Sequence, residues 1–60
     1  MRETVLMKGE LDTLVLVTTA SGTELLDAEE EVLESYPDDR HAALLARLLA
    51  EGWEIEEDGP

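Results

Sequence analysis

The chain contains no cysteine, phenylalanine, asparagine or glutamine, and only one histidine, one tryptophan and one tyrosine among 60 residues. Without cysteine, neither a disulfide framework nor a thiolate zinc site can supplement a small core. Cations are scarce too. Four Lys and Arg stand against sixteen Asp and Glu, for a net charge of −12. Phosphate backbones and anionic membranes are held by clustered basic groups, so direct binding to nucleic acid or to a membrane surface is excluded. No apolar run approaches the roughly 18 residues of a membrane span, and the opening MRETVLMKGE lacks the apolar core of a signal peptide. A cytoplasmic location is the expectation.

Catalytic and cofactor motifs are missing as well. Neither G-x-S-x-G nor G-x-x-x-x-G-K-[ST] occurs around Thr18, Thr19, Ser21 and Gly22. The acids Glu54, Glu56, Glu57 and Asp58 do not follow the alternate-position spacing of an EF-hand loop. No cofactor or metal is implied. The acidic balance itself reads first as a solubility- or salt-adapted surface, and second as a face for a basic partner.

What is present is a strongly patterned C-terminal half. The stretch 38–55 reads DDRHAALLARLLAEGWEI, with Asp38 or Asp39 placed to cap a helix and Leu44, Leu45, Leu48 and Leu49 at helical spacing. Gly52 fits the left-handed position just past the helix, which makes Trp53 and Leu48 the pair that touch in a Schellman ending. On a helical wheel the leucines, His41 and Ala42 fill somewhat less than half the circumference. Ala43, Ala46 and Ala50 widen the apolar surface until only Arg40, Arg47 and Glu51 remain as a polar stripe. Ordinary surface helices are narrower on their apolar side, so this one is expected to pack on two sides.

The N-terminal half opens with two strand-like runs, 4–8 (TVLMK) and 13–20 (TLVLVTTA), separated by GELD. A four-residue loop over 9–12 pairs Met7 with Leu14 and Val5 with Leu16; a two-residue turn at Gly9-Glu10 leaves the faces unchanged. One face then carries Val5, Met7, Leu14 and Leu16, the other Leu6, Val15 and Val17. With neither face polar, the second strand is expected to be central and covered on both sides.

From Thr23 the residues Leu25, Leu26, Val32, Leu33 and Tyr36 share one helical face, while Asp27, Glu29 and Glu31 alternate against a strand. Ser21 with Glu24, and Asp27 with Glu30, both form capping-box patterns, so the start of this first helix stays open. It is expected to run from about residue 23 or later to residue 35 and to end before Pro37. Trp53 and Ile55 alternate with Glu54 and Glu56 as a short closing strand, followed by a frayed acidic tail over 57–60. The expected architecture is a single small α+β domain: a three-stranded, mostly antiparallel sheet with two helices, in the order ββααβ.

The segment LLARLLAEGWEI resembles the helix-to-strand ending of small bacterial domains of unknown function that close with Gly-Trp-Glu. It spans about a fifth of the chain and brings no catalytic residue with it.

Two residues invite a chemical reading. His41 lies on the leucine side of its helix, as a general base or metal ligand completed by a symmetry mate, or as a first-turn residue packed at the core margin. No second His, no Cys and no suitably spaced carboxylate accompanies it, which favours packing. Glu29 would sit among apolar neighbours with a raised pKa if the first helix starts early, and would not if it starts late. A chain of this length buries only about 60% of its unfolded surface, yet its apolar content exceeds what one such core hides.

The functional expectation is therefore a non-enzymatic interaction module or accessory subunit that self-associates, most simply as a dimer. Leu44, Leu45, Leu48, Leu49, Val15, Val17 and Trp53 are its candidate contacts. A second reading is an acidic antagonist of a basic nucleic-acid-binding protein, with Glu29, Glu30, Glu31 and Glu34 in place of phosphates. A third is a small enzyme with His41 and a carboxylate at a subunit boundary.

Overall fold

The computed structural model describes residues 1–59, and the elements follow in the order β1 (Arg2–Lys8), β2 (Asp12–Thr19), β3 (Gly22–Leu26), β4 (Val32–Tyr36), α1 (His41–Ala50) and β5 (Glu54–Gly59). The five strands form one antiparallel sheet in the order β4-β3-β2-β1-β5. This corrects the expected three-stranded sheet with two helices, because residues 22–36 form a hairpin rather than a helix.

Asp27 decides that outcome. Its carboxylate oxygen Oδ1 accepts hydrogen bonds from the backbone amides of Glu29 and Glu31, both at 2.9 Å. The Glu30 amide donates to the Asp27 carbonyl at 3.0 Å, and Glu30 takes a left-handed conformation with φ 65°. The residue that resembles a helix N-cap thus caps a five-residue turn. A helix here would have stacked acids of like charge at i, i+4 with no cation to relieve them. As strands, Thr23 and Leu25 instead point to one side and Glu24 to the other, the alternation a sheet with one wet face needs.

A single residue in the first turn corrects the assignment of faces. The β1–β2 connection has three residues, 9–11, rather than four or two, and the register pairs Leu6 with Leu14, Val5 with Val15 and Thr4 with Leu16. An odd loop moves every side chain of one strand to the other face relative to an even one. The buried face therefore carries Thr4, Leu6, Leu14, Leu16, Thr23 and Leu25, and α1 lies on it through His41, Leu44 and Leu48. Tyr36, Leu45 and Trp53 pack around this core.

The helix ends as its sequence indicates. Gly52 has φ 101°, the Trp53 amide donates to the Leu48 carbonyl at 3.0 Å, and the Gly52 amide donates to that of Leu49 at 3.1 Å. Its start lies slightly later than expected: Asp39 Oδ1 accepts from the His41 amide, and Arg40 is the capping residue. Among the described residues the helix is covered on one side only. Its outer surface is mostly alanine with Arg47, and Leu49 is the one large apolar residue substantially exposed there.

The closing strand is longer than expected. β5 continues through Gly59, pairing Glu57 with Val5, Asp58 with Thr4 and Gly59 with Glu3 after an irregularity in register. The expected fraying over 57–60 is thus replaced by paired strand up to Gly59; Pro60 lies outside the described residues. No helix among the described residues is long and apolar enough to cross a membrane.

Candidate functional site

Two threonines on the buried face meet the only histidine of the chain, and a third joins them through Thr18. Thr4 on β1 lies 2.8 Å from His41 Nε2, and Thr18 on β2 lies 2.8 Å from Nδ1. Thr4 also donates to Asp58 Oδ1 on β5 at 2.7 Å, and Asp58 is held from outside by Arg2 at 3.1 Å. Thr18 contacts Thr23 on β3 at 2.9 Å. Thr23 in turn reaches the Asp38 carbonyl at 3.0 Å and accepts from the Arg40 amide at 2.9 Å. Four strands and the start of α1 are fastened by one polar chain. Thr4 and Thr23 are fully buried and His41 is 2% exposed.

Each hydroxyl has one proton to give, and that settles the directions. With Asp58 ionised, the proton of Thr4 goes to Asp58, so Nε2 must carry the ring proton and donate to Thr4. Nδ1 of the neutral ring then accepts from Thr18, and the single Thr23 proton is shared between Thr18 and the Asp38 carbonyl. A second proton, on Nδ1, would reverse Thr18 and Thr23 and send the Thr23 proton to the Asp38 carbonyl. Both ring nitrogens are therefore occupied by threonines in either state. His41 has no nitrogen free for a metal or for proton exchange with a substrate in this arrangement. Those two contacts tie the start of α1 to β1 and β2.

Charge follows the same geometry. Burial is the main cause that pushes the His41 pKa below its ordinary value; Arg2 adds to it, while Asp58 and Asp39 oppose it. Arg2 holds the Asp58 carboxyl below the usual range, with help from the Thr4 hydroxyl. On the other flank Arg47 lowers Glu34 through two hydrogen bonds, the shorter 2.6 Å, and the Tyr36 hydroxyl adds a third. A group with a lowered folded pKa binds fewer protons folded than unfolded, so its contribution is present above the unfolded pKa and lost as pH falls through the folded one. We expect the stability advantage of the wild type over Glu34→Gln, read from urea midpoints, to be greatest near neutrality and to shrink as the pH is lowered through the carboxylate range. An advantage that stays constant with pH would contradict this account of Glu34.

Among the described residues nothing covers the sheet's other face. The register lines up Val5, Val15, Leu26 and Val32 as one row across β1, β2, β3 and β4, with Glu57 of β5 at its end. Met7 flanks the row on one side and Val17 on the other. Val5, Met7, Val15, Val17 and Leu26 remain half-buried, and Val32 is 50% exposed. The charges on this face are all acidic: Glu3, Glu24, Glu54 and Glu57. Every cationic side chain sits on the helix side or beside it. Arg2 is bound to Asp58, Arg47 to Glu34, Arg40 stacks at 4.7 Å over Tyr36, and Lys8 lies 5.7 Å from the Trp53 ring centre. Shallow depressions of about 280 and about 340 Å³ dent the open face, the first beside Val17 and Glu24, the second beside Glu3, Val5 and Glu57.

The residues singled out in the sequence fall into separate places. Leu44 and Leu48 are core, Leu45 and Trp53 pack at its margin, and Leu49 is exposed on the far side of α1. Val15 and Val17 lie together on the open face. Glu29, Glu30 and Glu31 are exposed in the β3–β4 turn, whereas Glu34 turns toward Arg47 and α1, so the four do not form one surface. Unsuspected from the sequence were the three core threonines; Thr18 does continue the alternation of Leu14 and Leu16, and Thr4 that of Leu6. No family model, curated protein or solved structure matches this chain in comparison with known proteins.

Proposed function

We propose that the chain is a cytoplasmic, non-enzymatic protein-interaction module whose working surface is the open face of its sheet. The observation that carries this reading is the unbroken apolar row Val5–Val15–Leu26–Val32, which none of the described residues covers. An expanded fold does not account for it. The total exposed area of 3943 Å² is close to the ~3,900 Å² of an ordinary monomer of this mass. Contiguous apolar surface rimmed by charge is the usual mark of a docking site.

Self-association through this face is the first form the reading takes, because a valine-rich row can meet its own copy across a two-fold axis. In low salt the four glutamates of each copy oppose it. At about 1 M NaCl the screening length falls to about 3 Å and that opposition is largely removed. Sedimentation velocity over a concentration series should then reveal a dimer that Val15→Thr, which keeps the branched shape, abolishes. A chain that stays monomeric at about 1 mM in both low and high salt would overturn self-association as the use of this face.

A further inference from the structure

Charge on the open face is segregated in a way that self-association leaves unexplained. Folding places all four Lys and Arg side chains on or beside the helix side, where three are tied to carboxylates and Lys8 lies over Trp53. What remains around the apolar row is Glu3, Glu24, Glu54 and Glu57 with no cationic side chain among them. Two such faces brought together would place eight carboxylates around one interface. A partner with apolar residues flanked by Lys or Arg would instead neutralise the rim while covering the row.

The dimensions narrow the partner further. Three strand spacings give the row a length of roughly 14 Å, which matches about ten residues of α-helix at 1.5 Å each. Met7 and Val17 widen it on either side to something near the apolar stripe of an amphipathic helix, with residues at i, i+3, i+4 and i+7. Glu57 lies at one end of the row, Glu54 beside Met7, and Glu3 and Glu24 on either side of Val17. Cations at the edges of a helix stripe can reach these positions.

Resting on the reading of this face as a docking surface, we propose that its occupant is a cationic amphipathic helix of another protein. Recognition combines burial of the row with charge pairing at its rim, so affinity falls with salt and does not reduce to charge alone.

The test uses the full chain and a synthetic peptide of about 18 residues, long enough to hold a helix. The peptide places leucine at i, i+3, i+4 and i+7 with lysine elsewhere; a second peptide has the same composition in shuffled order. The ordered peptide should shift amide resonances of β1, β2 and β3 on the open face and bind roughly tenfold or more tightly than the shuffled one. Its affinity should fall steeply between about 50 and about 500 mM NaCl. Val5→Thr with Val15→Thr should weaken binding at least roughly tenfold with the folded spectrum retained. If that pair does not fold, Val17→Thr at the side of the row replaces it. Glu3→Gln, Glu24→Gln and Glu57→Gln together should flatten the salt dependence.

Equal binding of the shuffled peptide, or shifts confined to the helix side, would overturn the proposal in favour of attraction to a polyanion. No peptide binding together with dimerisation in high salt would make a second copy the occupant, and would leave the proposed function standing. Absence of both would remove the two together.

Discussion

Replacing His41 by alanine is expected to cost about 3–5 kcal/mol and to leave little folded protein at room temperature. The substitution removes one hydrogen-bond partner from each of Thr4 and Thr18, which keep Asp58 and Thr23, and opens a cavity where the ring stood. Natural domains hold roughly 0.05–0.15 kcal/mol per residue, so 60 residues have only about 3–9 kcal/mol to lose. His41→Gln, whose amide can donate to one threonine and accept from the other, should recover part of the loss. Urea unfolding followed by circular dichroism measures both. A loss below about 1 kcal/mol for alanine would mean that Asp58 and Thr23 suffice for the two hydroxyls, and the fastening role of the ring would be lost with it.

Gly22→Ala is expected to be nearly as damaging, at about 3 kcal/mol or more. Gly22 begins β3 with φ 127°, a conformation in which a Cβ is strained wherever it occurs. Here that Cβ would also run into the Tyr36 carbonyl oxygen and approach the Pro37 carbonyl carbon at 2.9 Å. Those are backbone atoms of the neighbouring strand and of the turn into α1, so no side chain can swing aside. Gly9 supplies the internal comparison. It has φ 70°, and a Cβ added there would meet nothing within 4 Å, so Gly9→Ala should cost only about 1–2 kcal/mol. Equal urea midpoints for the two variants would show that backbone conformation alone, rather than the approach of Tyr36, governs the site.

The parts of this fold that were legible in the sequence are those fixed by local chemistry. The helix ending at Leu48, Gly52 and Trp53, the β1–β2 hairpin and the central place of β2 all follow from short-range pattern. The β3–β4 hairpin was not legible, because Leu25, Leu26, Val32, Leu33 and Tyr36 fit a helical face as well as two strands. Only the turn formed by Asp27, which caps either a helix or a loop according to the path of residues 28–31, separates the alternatives. The faces of β1 and β2 were misassigned for a different reason: an odd or even loop inverts the sheet, and residues 9–12 do not announce their number. The site suffered from composition. Threonine is common in strands for its shape, so nothing marks Thr4, Thr18 and Thr23 as a polar core until the strands are side by side and His41 lies above them. Apolar excess is legible in the composition alone. Its location on one sheet face, and the removal of cations from that face, came only with the register.

The placement of β5 carries a consequence for growth of the sheet. It is an outer strand, and Glu54, Glu56, Glu57 and Asp58 follow one another along it. Another copy of β5 adding at that margin would align rows of carboxylates about 4.8 Å apart, and charged outer strands are a known means of halting edge-to-edge aggregation. The acids that look like a solubilising tail when read in a line become, once folded, a terminator of the ribbon. They leave the broad side open to company while closing one of its borders.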